Sequence, residues 1–329
     1  MNLRSPNIGR MVEYDPKVQS GLLDEGNPQH VSNVLWSMAK MQYASKNLVK
    51  NIASTTTTNS NGRNTWWDKA SGLELANVAY ATASLGVWDT RIFDEIVLRK
   101  DRIISKNGGA GKRGACNLLW SLGVAGVIKQ HEEAVKDIWN AVAGDGGMVS
   151  GGSDEEEELR VLENVLAYSR SEGVNMGDTG KGLKNMMIEA ASKGGKRGES
   201  GWERKVGREL RGMGMGGFER EVSPFEGNEG GDLMKIDFAW PDSKVALELD
   251  GPSHFLTYLK GPRRYGRNGQ TKAKKRLLTS LGWEVVNVPW FVYEREIKKD
   301  GGKEAFWGNI ITKEDGVVKK VEGGILEGV

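Results

Sequence analysis

Apolar residues recur at helical spacing through the first half of the chain. Val31, Val34, Leu35, Met38 and Met41 define one buried stripe. The stripe lies in a motif that returns. Asn33-Val-Leu-Trp-Ser-Met-Ala-Lys-Met41, Asn77-Val-Ala-Tyr-Ala-Thr-Ala-Ser-Leu85, Asn117-Leu-Leu-Trp-Ser-Leu-Gly-Val-Ala125 and Asn164-Val-Leu-Ala-Tyr-Ser-Arg-Ser-Glu172 each open on asparagine and two apolar residues. The asparagines stand 44, 40 and 47 residues apart. A period near forty with variable loops predicts helical hairpins, with partner helices over 46–54, 93–104, 132–142 and 184–192. Loops are expected at 55–64, 107–114 and 144–154. One hairpin cannot bury both faces, so the units are expected to stack as a small α-solenoid over 1–193. Trp36, Tyr80 and Trp120 then read as packing between repeats, and the asparagines as partners for loop backbone or for a ligand. The acidic run 154–158 reads as a solvated helix start, where its charge is favourable.

Residues 194–200 (GGKRGES) form a Gly-rich, charged linker, and beyond them the pattern changes. Trp202, Val206 and Leu210 mark a helix over 202–210. Short strands are expected at 218–222, 233–240 and 244–249, the last stopped by Gly251-Pro252. A helix follows over 271–281, with Thr271 as N-cap and Gly282 as C-cap. A strand at 283–288 ends at Pro289. The order is α-β-β-β-α-β, giving a compact α/β domain over 201–298 and a tail over 299–329.

Composition narrows the chemistry. The chain has 329 residues and a net charge of +2, so any nucleic-acid surface must be local. One cysteine, Cys116, excludes an internal disulfide and a cysteine-rich zinc site. His30, His131 and His254 show no metal-ligand spacing, and His30 and His131 read as surface residues. No apolar run is long enough to span a membrane. The N-terminus lacks a signal-peptide apolar region and, with Glu13, Asp15 and little arginine, makes a poor transit peptide.

Two features carry candidate chemistry. Asp237 lies near the end of one predicted strand, and Glu248 and Asp250 stand at i and i+2 on the next, so that pair shares a face. Glu203 or Glu209 could add a carboxylate from the preceding helix. Asp237 and Glu248 are candidate Mg²⁺ ligands, since that ion takes carboxylate oxygens. With Asp250 they are candidate catalytic residues of a nuclease. The element order resembles that of restriction-endonuclease-type nucleases, which implies a lysine two residues after the acid, but the position two after Glu248 is Asp250. Lys272 or Lys275 is the candidate substitute. The alternative is a decayed site in which the carboxylates fix turns.

The second feature is 260–276 (KGPRRYGRNGQTKAKKR), with eight basic residues and no acidic one. Arg263, Arg264, Arg267, Lys272, Lys275 and Arg276, with Tyr265 among them, suit phosphates and bases of a single strand. The Gly-rich first part reads as a loop that becomes fixed on meeting phosphate. His254, without partners for a catalytic triad, reads as a hydrogen-bonding or RNA-contact residue.

The segments Lys235-Ile-Asp-Phe-Ala-Trp-Pro241, Val245-Ala-Leu-Glu-Leu-Asp-Gly-Pro-Ser-His-Phe255, 268–283 and Val285-Val-Asn-Val-Pro-Trp290 together resemble the RAP domain over about residues 200–295. The Asn-Leu-Leu-Trp-Ser-Leu units are similar to octotricopeptide-type repeats and to the repeats of FAST-kinase-like proteins. The resemblance implies a restriction-endonuclease-like fold and RNA-related work in a mitochondrion or chloroplast. It leads to three expectations. The first is a non-catalytic factor for RNA processing, stability, rRNA maturation or translation, which binds single-stranded RNA without a cofactor. Its further partners would be ribonucleoprotein or ribosome-assembly proteins, and no membrane. The second is a Mg²⁺-dependent endoribonuclease. The third is a protein-binding scaffold in a ribonucleoprotein.

Overall fold

The computed structural model describes residues 27–55, 66–105, 109–143, 153–177, 181–193, 200–225, 234–258, 265–322 and 326. The chain divides into two compact units, Met1–Ala190 with Phe255–Ala273, and Ala191–His254 with Lys274–Val329.

The first unit is mainly helical. It contains α1 (Pro28–Met41), the short strand β1 (Tyr43–Ala44), α2 (Lys46–Ser54), α3 (Trp66–Lys69), α4 (Gly72–Ser84), α5 (Thr90–Leu98), α6 (Lys100–Ile104), α7 (Gly111–Ala125), α8 (Glu132–Ala143), α9 (Ser153–Ser171) and α10 (Lys181–Lys193). Helix starts follow local chemistry. Asn27 accepts from Gln29 N–H ahead of Pro28, and Ser71 with Glu74 forms a capping box. The four asparagine-bearing helices pack in series, α1 on α4, α4 on α7 and α7 on α9. Leu35, Leu75, Leu118, Leu122, Leu162 and Val165 supply the core of the series.

The repeated aromatic positions form a ladder. The Trp36 and Tyr80 ring centroids lie 4.9 Å apart, and Tyr80 and Trp120 5.0 Å apart. These rings pack on one another between helices, as their spacing predicts. The Lys40 ammonium caps the ladder 4.8 Å from the Trp36 ring. Between α7 and α9, Lys112 pairs with Glu158 at 3.2 Å, so the last residue of the acidic run is tied down rather than solvated. The helix expected over 93–104 breaks at Arg99, whose backbone leaves helical geometry and whose guanidinium binds Asp68 at 2.6 Å. The loop expected at 107–114 is already helix from Gly111. Cys116 is buried, which pushes its thiol up to about 12 and leaves it inert at neutral pH. His30 is exposed, whereas His131 sits largely buried 3.2 Å from Asp94 and so is not a surface residue.

After the predicted linker, of which 194–199 lie outside the described residues, come α11 (Gly201–Gly212), β2 (Glu219–Val222), β3 (Ile236–Trp240), β4 (Val245–Asp250), β5 (Phe255–Tyr258), β6 (Tyr265–Arg267), α12 (Gly269–Ser280), β7 (Glu284–Pro289), α13 (Trp290–Glu296), α14 (Gly302–Gly308), β8 (Ile311–Glu314) and β9 (Val317–Lys320). The second unit is built on a mixed sheet in the order β2-β3-β4-β7. Its first two pairings are antiparallel and the third, β4 with β7, is parallel. Alternation divides the sheet. Phe238, Val245, Leu247, Leu249, Val286 and Val288 face a core shared with Val206, Leu210, Val292, Phe306 and Trp307. Ala246 and Val285 face a smaller cluster with Leu278 and Trp283. Glu209 is held in the larger core, accepting from Tyr293 Oη–H at 2.9 Å and from Trp307 Nε1–H at 2.9 Å. The residues expected to be a tail therefore belong to the fold: Phe306, Trp307, Ile310, Ile311 and Val318 are all core.

Between β4 and α12 the expected mobile loop is partly a hairpin. β5 and β6 pair antiparallel, and β5 pairs in parallel with β1, so this hairpin belongs to the first unit. The helix begins two residues earlier than predicted because Asn268, not Thr271, is the cap, its Oδ1 accepting from Thr271 N–H at 2.9 Å. Gly269 makes this start possible. A Cβ there would stand 1.8 Å from the Ala83 carbonyl oxygen. Gly269→Ala is therefore expected to lower stability by about 1–3 kcal/mol, the usual range for overpacking. A shifted urea midpoint checks this, and an unchanged midpoint would mean that the helix start is not seated on α4.

Candidate nucleic-acid interface

Asp237, Glu248 and Asp250 project from the same face of β3 and β4, as strand alternation requires. Glu248 and Asp250 are buried. Asp237 Oδ2 accepts from Leu249 N–H at 2.8 Å. Asp250 Oδ1 accepts from Asn287 Nδ2 at 3.3 Å and lies 3.4 Å from His254 Nδ1. Glu203 adds negative potential at Asp237, while Glu209 is committed to Tyr293 and Trp307.

The missing lysine is neither Lys272 nor Lys275. Lys274 Nζ donates to Glu248 Oε2 at 2.5 Å and to the Lys235 carbonyl at 2.7 Å. Helical phase is the reason. Lys274 lies four residues before the buried Leu278, so it faces the sheet, and Lys272 and Lys275 do not. That signal was readable in the sequence.

Burial pushes the Glu248 carboxyl up to about 8, with Lys274 pulling against it and Asp237 and Asp250 adding to the rise. Burial likewise raises Asp237, again opposed by Lys274. For Lys274 burial acts downward, but Glu248 and Asp237 outweigh it and hold its pKa above the usual lysine value. Glu248 therefore binds its proton more tightly in the fold than in the unfolded chain. The stability this confers is complete below about pH 4.5 and is lost as pH rises through about 8, while Lys274 titrates above that window. Urea unfolding of the protein is expected to weaken across that interval, and Glu248→Gln is expected to flatten the profile. A wild-type profile flat from pH 5 to 8 would refute it.

Glu248 Oε1 is buried without a hydrogen-bond partner, which leaves one acceptor open. Against a metal site, Lys274 already occupies the other oxygen, and no three Asp, Glu, His or Cys side chains converge among the described residues in a way that could hold an ion.

The candidate RNA contacts separate. Arg263 and Arg264 lie outside the described residues, and Tyr265 is placed by its backbone, opposite Thr257 in the hairpin. Lys275 is exposed and Arg276 half-buried. Lys272 Nζ donates to the Gly86 carbonyl at 2.7 Å and lies 5.7 Å from the Trp88 ring. Burial, then Lys46, then Arg267 lower its pKa. In the first unit the hairpin therefore gathers Lys46, Arg267 and Lys272 into one positive patch. Sequence reasoning missed Lys46, since only the pairing of β1 with β5 brings it there.

The second unit is an α/β module with a mixed sheet, a buried acid–lysine cluster and a basic helix in its parallel crossover. Residues 247–306, from β4 to α14, match the family model described as RAP domain. The match marks this segment as a RAP domain, which suggests a nucleic-acid-binding role.

Proposed function

We propose that the protein is an RNA-binding factor of a mitochondrion or chloroplast, acting without catalysis in RNA processing, stability, rRNA maturation or translation, within ribonucleoprotein or ribosome-assembly partners. In this reading the helical units are a short α-solenoid that offers a surface to single-stranded RNA. The RAP domain is a restriction-endonuclease-like fold used as a phosphate grip. The observation that carries the reading is the gathering of Lys46, Arg267 and Lys272 by the pairing of β1 with β5; burial lowers the Lys272 pKa, and repulsion from Lys46 and Arg267 adds to it. A phosphate placed among them relieves that repulsion.

The test is fluorescence anisotropy of a mixed-sequence single-stranded RNA with the full-length protein over a range of salt. Each lost phosphate contact lowers the slope of log affinity against log salt by about 0.7 for a single strand. Lys46→Gln with Arg267→Gln is expected to lower it by about 1.4. Unchanged slope and affinity would remove this patch from the interface.

A metal-dependent endoribonuclease is the second reading. One observation favours it, because Lys274 stands beside Glu248 and supplies the positive charge missing two residues after it. The same RNA, incubated with Mg²⁺ or with EDTA, decides. The expected result is intact RNA in both. Cleavage that needs Mg²⁺ and disappears in Glu248→Ala would make the protein an enzyme.

A further inference from the structure

The second unit holds a basic surface outside the 260–276 segment. Helix α11 presents Arg204, Arg208 and Arg211 at i, i+4 and i+7, all exposed on the side away from the buried Val206 and Leu210. Arg220 reaches in from β2, and together with Glu203 and Glu221 they line an open groove of about 900 Å³. No apolar side chain lines it among the described residues, unlike the walls of a small-molecule pocket.

Two of the arginines lie against aromatic rings. The Arg211 guanidinium lies 5.0 Å from the Phe218 ring, and Arg220 lies 4.5 Å from the Phe238 ring. For Arg211, stacking fixes the guanidinium plane and leaves its N–H edge for an acceptor. Arg220 also pairs with Glu203 at 3.1 Å. Arg208 and Arg211 make no ion pair among the described residues. Successive i, i+4 positions advance by about 6 Å along a helix, a step close to that between neighbouring phosphates of an extended strand. The floor of the groove is strained. Glu221 has φ of 53°, a left-handed conformation unusual for a glutamate in a strand, and its side chain lines the groove. Burial raises its pKa, and Asp237 and Glu203 add to the rise.

We propose that this groove binds the sugar–phosphate backbone of single-stranded RNA, with Arg204, Arg208, Arg211 and Arg220 as the phosphate contacts. The assignment rests on the RNA-binding reading above and adds a second contact surface, on residues that precede the segment matching the RAP domain. Arginine suits the task because its fork meets phosphate oxygens two at a time.

The test uses the full-length protein, the same mixed-sequence RNA and the double variant Arg208→Gln with Arg211→Gln. Both side chains are exposed, and a matching urea midpoint shows that the fold is kept. The expected result is at least tenfold weaker binding at about 0.15 M salt and a salt slope lower by about 1.4. Arg208→Lys with Arg211→Lys is expected to restore the slope while recovering only part of the affinity. If the wild type binds RNA and the Gln pair binds it with unchanged affinity and slope, the groove assignment falls and the RNA-binding reading stands. If the wild type does not bind RNA at all, both fall. If polyglutamate displaces the RNA from wild type but not from the Gln pair as readily as unlabelled RNA does, the groove takes an acidic protein and the assignment is overturned.

Discussion

Lys274→Met is expected to lower the stability of the protein by about 3–5 kcal/mol, the range seen when one partner of a buried ion pair is removed. Lys274 bonds the buried Glu248 and also favours the ionised form of Asp237, against the burial that opposes it. Without it, the carboxylates on this face must take up a further proton or hold an unpaired charge away from water. The deficit is therefore expected to shrink as pH falls toward 4.5, where protonation of a carboxyl costs little. Glu248→Leu added to Lys274→Met is expected to recover most of the loss, because an apolar pair of similar volume removes both buried charges. Urea unfolding of the two variants at two pH values checks this. A loss under about 1 kcal/mol in the single variant would mean that the cluster is well solvated, and would strengthen the case for catalysis.

Trp307→Ala is expected to cost about 3–5 kcal/mol, as for other large aromatic deletions in a packed core. Trp307 is fully buried, its ring lies 4.9 Å from Phe306, and its indole N–H reaches Glu209. Trp307→Phe separates the two contributions. It keeps most of the packing but leaves Glu209 one donor short, at an expected cost of about 1–3 kcal/mol. Ending the chain at residue 298 removes Phe306, Trp307, Ile310, Ile311 and Val318 from the core, and the truncated protein is expected to lose the cooperative unfolding of its second unit. A soluble truncated protein with an unchanged urea midpoint would restore these residues to the status of a tail.

The basic segment shows where sequence reasoning stops. Its charges are plain in the sequence, but their destinations diverge. Lys272 turns to the Gly86 carbonyl and Lys274 to Glu248, while Lys275 stands on the exposed side of the helix. Adjacent helical positions differ by about 100° in direction, so residues equal in composition meet different surroundings. The arginines of α11 were equally visible at i, i+4 and i+7, yet their meaning depends on Arg220 arriving from another element.

The sequence by itself determined the periodic elements. It set the four asparagine-bearing helices, the aromatic positions that stack between them, the strands of the mixed sheet and the common face of Glu248 and Asp250. Those features follow from local periodicity, 3.6 for helices and 2 for strands, and periodicity needs no knowledge of distant residues. Only the tertiary structure decided that the hairpin after β4 pairs with β1, that Lys46 joins Arg267 and Lys272, and that residues 302–320 complete a core. Each of these joins residues far apart in the chain. Burial sets their energies, and burial is a property of the packed chain that no local pattern records.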